Sequence, residues 1–118
     1  MTQLRGVFLT SGDPSRTARF YEQVAQLPIE RVGDEGGYQY WKMDHNGMQL
    51  AIHASEPFSS YTHPPLAGSN LTHLYFRIED HAGFLDHLGR LALTPFAVDD
   101  VVITVEDPDG RKVMFGVA

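Results

Sequence analysis

The stretch GVFLTSGDP at residues 6–14 decides the fold, because a similar stretch, HLYFRIED, returns at residues 73–80. In both copies a run that reads as a strand leads to an aspartate suited to start a helix. One offset of 67 residues aligns the two copies, and it also aligns Pro28 with Pro95 beyond the helical stretches. A repeat of this kind indicates two homologous modules of about fifty residues each.

A second echo lies further along each module. The segment DHNG at residues 44–47 resembles DPDG at residues 107–110, and here the offset is 63. The smaller offset suggests that a hairpin is shorter in the second module. Asp44 and Asp107 are expected to hold these turns through hydrogen bonds from their side chains to the backbone.

Each module is predicted to be a strand, a helix and three further strands, which places the chain in the α+β class. The first helix is expected to begin after Asp13 and end near Leu27, and the second to begin after Asp80 and end near Thr94. The predicted strands cover residues 4–10, 29–33, 38–43, 48–54, 71–78, 101–106 and 112–117, with a weaker one near 96–99.

The chain has the size of a single domain, residues 1–118. Module one is assigned to residues 1–54 and module two to residues 71–118. The stretch from 55 to 70 is rich in proline and serine and has no periodicity, so it is predicted to be the linker.

The composition excludes several classes of protein. A net charge of −6 argues against partners such as nucleic acid or an anionic membrane, because both require a surface rich in Lys and Arg. The absence of cysteine excludes disulfides, thiolate metal sites and cysteine nucleophiles. No apolar run of ~18 residues and no signal-peptide core are present, so a cytoplasmic location is the default expectation.

Strand alternation separates two faces. One is almost purely aliphatic and is expected to pack beneath the helices. The other mixes aromatic, small and polar side chains, which is more typical of a pocket lining than of an outer surface. On this second face we expect the ligand-binding residues Phe8, Trp41, His53, His73, Tyr75, Arg77 and Met114. Alternation alone leaves strand 38–43 ambiguous, so the repeat offset places Trp41, and a simple core role for it stays open.

The paired modules, Asp13 followed by Phe20-Tyr21, and the closing segment EDPDG at residues 106–110 resemble the vicinal oxygen chelate superfamily. That group includes glyoxalase I, bleomycin-resistance proteins, fosfomycin-resistance enzymes and extradiol dioxygenases. The resemblance covers essentially the whole chain. It implies a fold of two tandem βαβββ modules forming a curled-sheet half-barrel cleft, commonly in a homodimer.

The resemblance also implies where a metal would be bound. The positions that supply metal ligands in the family's enzymes fall here on Gly6, Ala51, His73 and Met114. Of these, His73 alone can ligate a hard or borderline divalent ion. We therefore expect no metal cofactor. An alternative is a rebuilt site of His53, His73 and Glu106, and another is a metal-free acid–base role for His73.

Three functions remain open at this stage. The first is a metal-free small-molecule-binding protein that acts by sequestration, as in the bleomycin-resistance branch. The second is a divalent-metal-dependent lyase, isomerase or dioxygenase, and the third is an interaction module. The expected ligand is planar and partly apolar, and Arg77 would serve an anionic group on it. The other interpretation of Arg77 is a salt bridge to Glu79 or Glu106. No catalytic residue is assigned.

Overall fold

Each module folds as a strand, a helix and three further strands, as the repeat predicts. The structure is a computed structural model that describes residues 4–55 and 74–118. The chain divides into two compact units, one holding the elements of module one and the other those of module two. His73 and most of the predicted linker lie outside the described residues.

The elements are β1 (Gly6–Ser11), α1 (Pro14–Gln23), β2 (Glu30–Val32), β3 (Tyr40–His45), β4 (Met48–Ala54), β5 (Leu74–Arg77), α2 (His81–Arg90), β6 (Ala97–Val98), β7 (Val102–Glu106) and β8 (Lys112–Gly116). The two sheets have the same order, β1-β4-β3-β2 and β5-β8-β7-β6. In each sheet the first strand is parallel to its neighbour and the other pairs are antiparallel. The α+β class and the tandem βαβββ modules are confirmed.

Both helices begin where the sequence predicts. The side chain of Asp13 accepts a hydrogen bond from the backbone N–H of Arg16, and that of Asp80 accepts one from Gly83. These bonds satisfy N–H groups that have no partner in the first helical turn. None of the helices in the described ranges is long and apolar enough to cross a membrane.

Both helices end earlier than predicted, at Gln23 and Arg90 rather than near residues 27 and 94. Shortly beyond each end the backbone takes a left-handed conformation, with φ of 58° at Gln26 and 57° at Ala92. A left-handed residue turns the chain away from the helix axis. The apolar residues continue at helical spacing beyond these left-handed residues. For that reason the helices predicted from the sequence are longer than the observed ones.

The aliphatic faces of both sheets form the cores, as expected. In module one, Leu50 and Ile52 of β4 and the α1 residue Tyr21 are buried. In module two, Phe115 is 1% exposed, and its ring lies 4.5 Å from that of Phe84 on α2 and 5.5 Å from that of Phe76 on β5. Each helix is therefore held over its own sheet by burial of apolar side chains.

The β7–β8 connection is held by a buried carboxylate. Asp107 is 4% exposed, and its Oδ1 accepts hydrogen bonds from the backbone N–H groups of Asp109 and Arg111. The Arg111 guanidinium donates to the Oδ2 of Asp107 at 2.7 Å. The predicted turn role of Asp107 is confirmed. Asp44, its counterpart in the sequence echo, lies instead within β3 and pairs with Lys42.

Candidate functional site

The face of the module-one sheet opposite α1 presents a row of paired residues. Phe8 of β1 lies opposite Ala51 of β4, and Ala51 lies opposite Lys42 of β3. In the next row Thr10 lies opposite His53. Residues that pair directly across strands project from the same side of a sheet, so these side chains share one face.

Three aromatic rings surround His53 on this face. Its imidazole stacks on Tyr40 with the ring centroids 4.6 Å apart and the planes within 13°, and it lies nearly parallel to Tyr38 at 5.9 Å and 16°. The Phe8 ring is 5.3 Å away and tilted by 55°. The Tyr38 hydroxyl and the Nδ1 of His53 share a hydrogen bond of 2.7 Å. We call Phe8, Tyr38, Tyr40 and His53 the aromatic cluster.

Tyr38 reaches the cluster from the connection between β2 and β3. The backbone of Gly33 has a φ of 107°, and a Cβ atom there would overlap the carbonyl oxygen of Tyr38. Only glycine adopts this conformation readily and also fits so close to the neighbouring backbone. Gly33 therefore allows the chain to turn back and place Tyr38 against His53.

The aromatic cluster is open to solvent. Phe8 is 52% exposed and Tyr38 is 50% exposed, whereas Ile52 on the other face of the same sheet is fully buried. A group of large rings that is half-exposed has apolar surface that a planar ligand could cover. This part of module one is the strongest candidate for a binding site in the described residues.

Partial burial within the cluster lowers the pKa of His53 below its usual value of 6.5. Burial disfavours the charged imidazolium because it removes water that would solvate the charge. His53 is therefore neutral at pH 7. A neutral imidazole can stack on tyrosine rings without bringing a positive charge into the cluster.

This pKa predicts an acid-sensitive contribution to stability. At pH values between the folded pKa of His53 and 6.5, the unfolded chain binds a proton at His53 and the folded chain does not. The stability contributed by neutral His53 is therefore complete above pH 6.5 and is lost as the pH falls through the folded pKa. Urea unfolding from pH 7.5 to 5 should show a weaker pH dependence in His53→Gln than in the parent. His45→Gln is the control, because it makes the same substitution at an exposed histidine outside the aromatic cluster. Equal slopes in all three proteins would contradict the prediction.

A triad of charges adjoins the cluster. The ammonium group of Lys42 lies 3.3 Å from Glu30 and also bonds to Asp44. The hydrogen bond to Asp44, then that to Glu30, raises the pKa of Lys42, and Lys42 in turn lowers the pKa of Asp44. Lys42 and Asp44 are therefore both charged at pH 7. We call Glu30, Lys42 and Asp44 the charge triad.

The predicted position of Trp41 is wrong. Trp41 pairs with Ile52, so it lies on the helix-covered face, and Tyr40 and Lys42 occupy the opposite face. The cause is the β3–β4 turn, in which Asn46 and Gly47 alone connect the paired residues His45 and Met48. The β7–β8 connection leaves five residues between its last pair, Glu106 and Lys112. The repeat offset therefore misplaced β3 by one residue, which moves every side chain to the other face.

Module two arranges the corresponding face differently. Tyr75 lies opposite Met114, and Met114 lies opposite Thr104. The Tyr75 hydroxyl donates to the carbonyl oxygen of Ala118 at 2.9 Å, and its ring lies so close to Gly116 that a Cβ there would overlap it. Tyr75 is thus held flat against the sheet, although it remains 44% exposed.

Charged groups at the edge of this second face are partly paired. Glu106 forms an ion pair with Lys112 at 3.3 Å, and the Lys112 ammonium also lies 4.5 Å from the centre of the Phe96 ring. Arg77 ends β5, next to Gly116, and is exposed. Glu106 thus has Lys112 as its ion-pair partner, and the interpretations of Arg77 as a ligand-binding residue or as a partner of Glu79 stay predictions.

The structure thus brings together Phe8 and His53 in module one, and Tyr75 and Met114 in module two. The prediction for His73 lies outside the described residues. Sequence reasoning missed Tyr38, Tyr40 and Lys42, although they alternate along the predicted strand 38–43 in a way that would have placed them on one face. The pairing of β3 with β4 was needed to decide whether Tyr40 and Lys42 or Trp41 lie on the face opposite the helix.

Three of the four positions at which the resemblance implies metal ligands do not fit a divalent ion. A side chain at Gly6 would begin 2.9 Å from the carbonyl oxygen of Gln49 and 3.1 Å from the Phe8 ring. Ala51 is fully buried and inert, and Met114 offers only a thioether. Within 4–55 and 74–118 no three His, Asp or Glu side chains are grouped as metal ligands would be. The alternative site of His53, His73 and Glu106 includes an undescribed residue and stays a prediction.

Comparison with known proteins gives a clear result for the fold. No protein-family model matches the chain, and no curated protein matches it. Among solved structures, a glyoxalase-related enzyme from Fulvimarina pelagi matches with a TM-score of 0.76 and 17% identity, over 98% of this chain and 88% of that one. Lactoylglutathione lyase from Agrobacterium tumefaciens matches with a TM-score of 0.70 and 16% identity, over 98% and 93%.

An integron cassette protein from Vibrio cholerae is also similar, with a TM-score of 0.67 and 17% identity over 98% of this chain and 94% of that one. Matches of this length and low identity establish the fold. The chain has the fold of glyoxalase-like proteins, which is the fold that the resemblance implies.

Proposed function

We propose that this protein binds a planar small molecule on the aromatic cluster of module one, and that it does so without a metal ion. The observation that carries the proposal is the nearly parallel stack of Tyr38, Tyr40 and His53, in which Tyr38 is exposed and the other two rings are half-buried. A flat, partly apolar ligand would extend this stack. Stacking of a planar ring on an aromatic side chain contributes about 1–3 kcal/mol by alanine substitution in nucleic-acid-binding proteins.

The metal-free part of the proposal rests on the donor set. Gly6, Ala51 and Met114 leave a divalent ion with at most one protein ligand among the four family positions. In this proposal the protein acts by holding its ligand, as sequestration requires, and the ligand leaves unchanged. The metal-dependent lyase, isomerase or dioxygenase is the alternative, and homodimer formation stays a prediction of the resemblance.

A fluorescent planar probe tests the proposal directly. We expect 9-anthracenemethanol to bind and to raise the melting temperature, because a ligand that binds only the folded state stabilises it. Tyr38→Ala should weaken binding by about tenfold or more, which is the loss of one stacked ring, and Phe8→Ala should weaken it by removing an exposed ring beside the stack. Phe96→Ala is the matched control, because Phe96 is an exposed ring of module two that should not matter.

The same titration is repeated with added Mn²⁺, Ni²⁺, Zn²⁺ or Fe²⁺ and after treatment with a chelator. We expect equal binding in every case. Binding that requires one of these ions and is lost in His73→Ala would instead support the metal-dependent alternative. Failure of the probe to bind, or equal weakening by Phe96→Ala, would refute the proposed site.

A further inference from the structure

The charge triad lies on the same face as the aromatic cluster and next to it. Lys42 and Tyr40 are two residues apart on β3, a separation of roughly 7 Å along a strand. Lys42 also lies opposite Ala51, which pairs on its other side with Phe8. The backbone separation of Lys42 from the cluster is therefore shorter than the Debye length of about 10 Å at 0.1 M salt.

Lys42 does not act as an open anion-binding group. Both of its neighbours in the triad are carboxylates, at 3.3 Å for Glu30 and in direct hydrogen-bond contact for Asp44. With two carboxylates and one ammonium, the triad has a net negative charge. An anionic ligand would compete with two carboxylates already bound to Lys42 and would be repelled by the remaining charge.

The segment that leads to the cluster also carries negative charges. The β2–β3 connection that leads to Tyr38 carries Asp34 and Glu35, both exposed. Within the described strands of module one, Lys42 is the sole cation on this face, because Arg31 pairs with Trp41 on the other face. The rings themselves favour positive charge, since the face of an aromatic ring is electron-rich and attracts cations.

We propose that Glu30 and Asp44 are charge-selecting residues, which make the aromatic cluster a site for planar cations in preference to planar anions. This inference rests on the proposed function, because it names the class of ligand for the same site. The two carboxylates need not touch the ligand. They act by holding Lys42 and by leaving the face negative.

Three probes with the same ring system and different charge test this inference. They are 9-(aminomethyl)anthracene, a cation at pH 7, 9-anthracenemethanol, which is neutral, and 9-anthracenecarboxylate, an anion. At low salt we expect the cation to bind about tenfold more tightly than the anion, with the neutral probe between them. Raising the salt to about 0.5 M should shrink the difference, because screening weakens interactions between exposed charges.

The variant Glu30→Gln/Asp44→Asn should abolish or reverse the preference. It removes both carboxylates and leaves Lys42 charged and unpaired, so the anion should gain affinity and the cation should lose it. The neutral probe should bind as before, which shows that the cluster remains intact. Glu22→Gln/Asp86→Asn is the control, because it removes the same total charge from exposed helix positions and should keep the preference of the parent.

The outcomes separate this inference from the proposed function. Equal binding of all three probes, with the loss on Tyr38→Ala preserved, would overturn the charge selection and leave the aromatic site standing. A preference that changes equally in both double variants would also overturn it, because general charge would then be responsible. Binding of none of the three probes would refute both proposals.

Discussion

Replacing Phe115 with alanine is expected to lower the free energy of unfolding by about 3–5 kcal/mol, as large-to-small changes of buried aromatic residues do. Phe115 is 1% exposed, and its ring is in contact with those of Phe76 and Phe84. These three rings join β5, α2 and β8. Deleting the central ring leaves a cavity that strands fixed by hydrogen bonds cannot readily close.

Urea unfolding followed by circular dichroism measures this effect. Phe96→Ala is the matched control, because it makes the same substitution at a side chain that is 63% exposed. We expect Phe96→Ala to lower the free energy of unfolding by less than about 1 kcal/mol, through loss of the exposed contact of Phe96 with Lys112. Similar losses in the two variants would show that the ring contacts do not stabilise module two as described.

Replacing Asp107 with alanine is expected to lower the free energy of unfolding by about 3 kcal/mol. The side chain of Asp107 is fully buried, and it accepts two backbone hydrogen bonds and a third from the guanidinium of Arg111. Its removal leaves the N–H groups of the β7–β8 turn without an acceptor. It also takes from the largely buried Arg111, whose side chain is 11% exposed, the carboxylate that its guanidinium contacts at 2.7 Å, while the longer contact with Asp109 at 3.4 Å remains. Removal of one partner of a buried pair is strongly destabilising for that reason.

Asp44→Ala is the control that the repeat itself supplies. Asp44 corresponds to Asp107 in the similar segments DHNG and DPDG, yet the side chain of Asp44 is 55% exposed. In addition, Lys42, the partner of Asp44, still pairs with Glu30 after the substitution. Exposed ion pairs contribute about 0–1 kcal/mol, so thermal and urea unfolding should change little. A comparable loss in both variants would mean that the two segments have the same role after all.

Much of the fold could be predicted because its signals are local. Asp13 and Asp80 cap helices through bonds to residues three positions further on, and the alternation of each strand is contained within the strand. The predicted ends of the helices were less accurate. A left-handed residue such as Gln26 or Ala92 ends a helix through its backbone conformation, and neither residue type signals this by itself.

The candidate site was only partly predictable. Phe8 and His53 were placed on one face correctly, because alternation is contained within β1 and within β4, and the pairing of Phe8 with Ala51 and of Thr10 with His53 agrees with it. Trp41 was placed on the wrong face, because β3 has large side chains on both faces and its orientation depends on the β3–β4 turn. The contact of Tyr38 with His53 was harder to predict, since Tyr38 lies outside any strand and reaches His53 through a loop that turns at Gly33.

The sequence by itself determined the repeat, the order of the elements, the apolar faces and the lack of strong metal-ligating side chains at three positions where the resemblance implies ligands. Those properties depend on residue type and on spacing along the chain. Only the tertiary structure decided which rings meet, that Lys42 is held by two carboxylates, and that Asp107 is buried while Asp44 is exposed. The physical reason is that a strand presents either face equally well until pairing with its neighbours fixes its register.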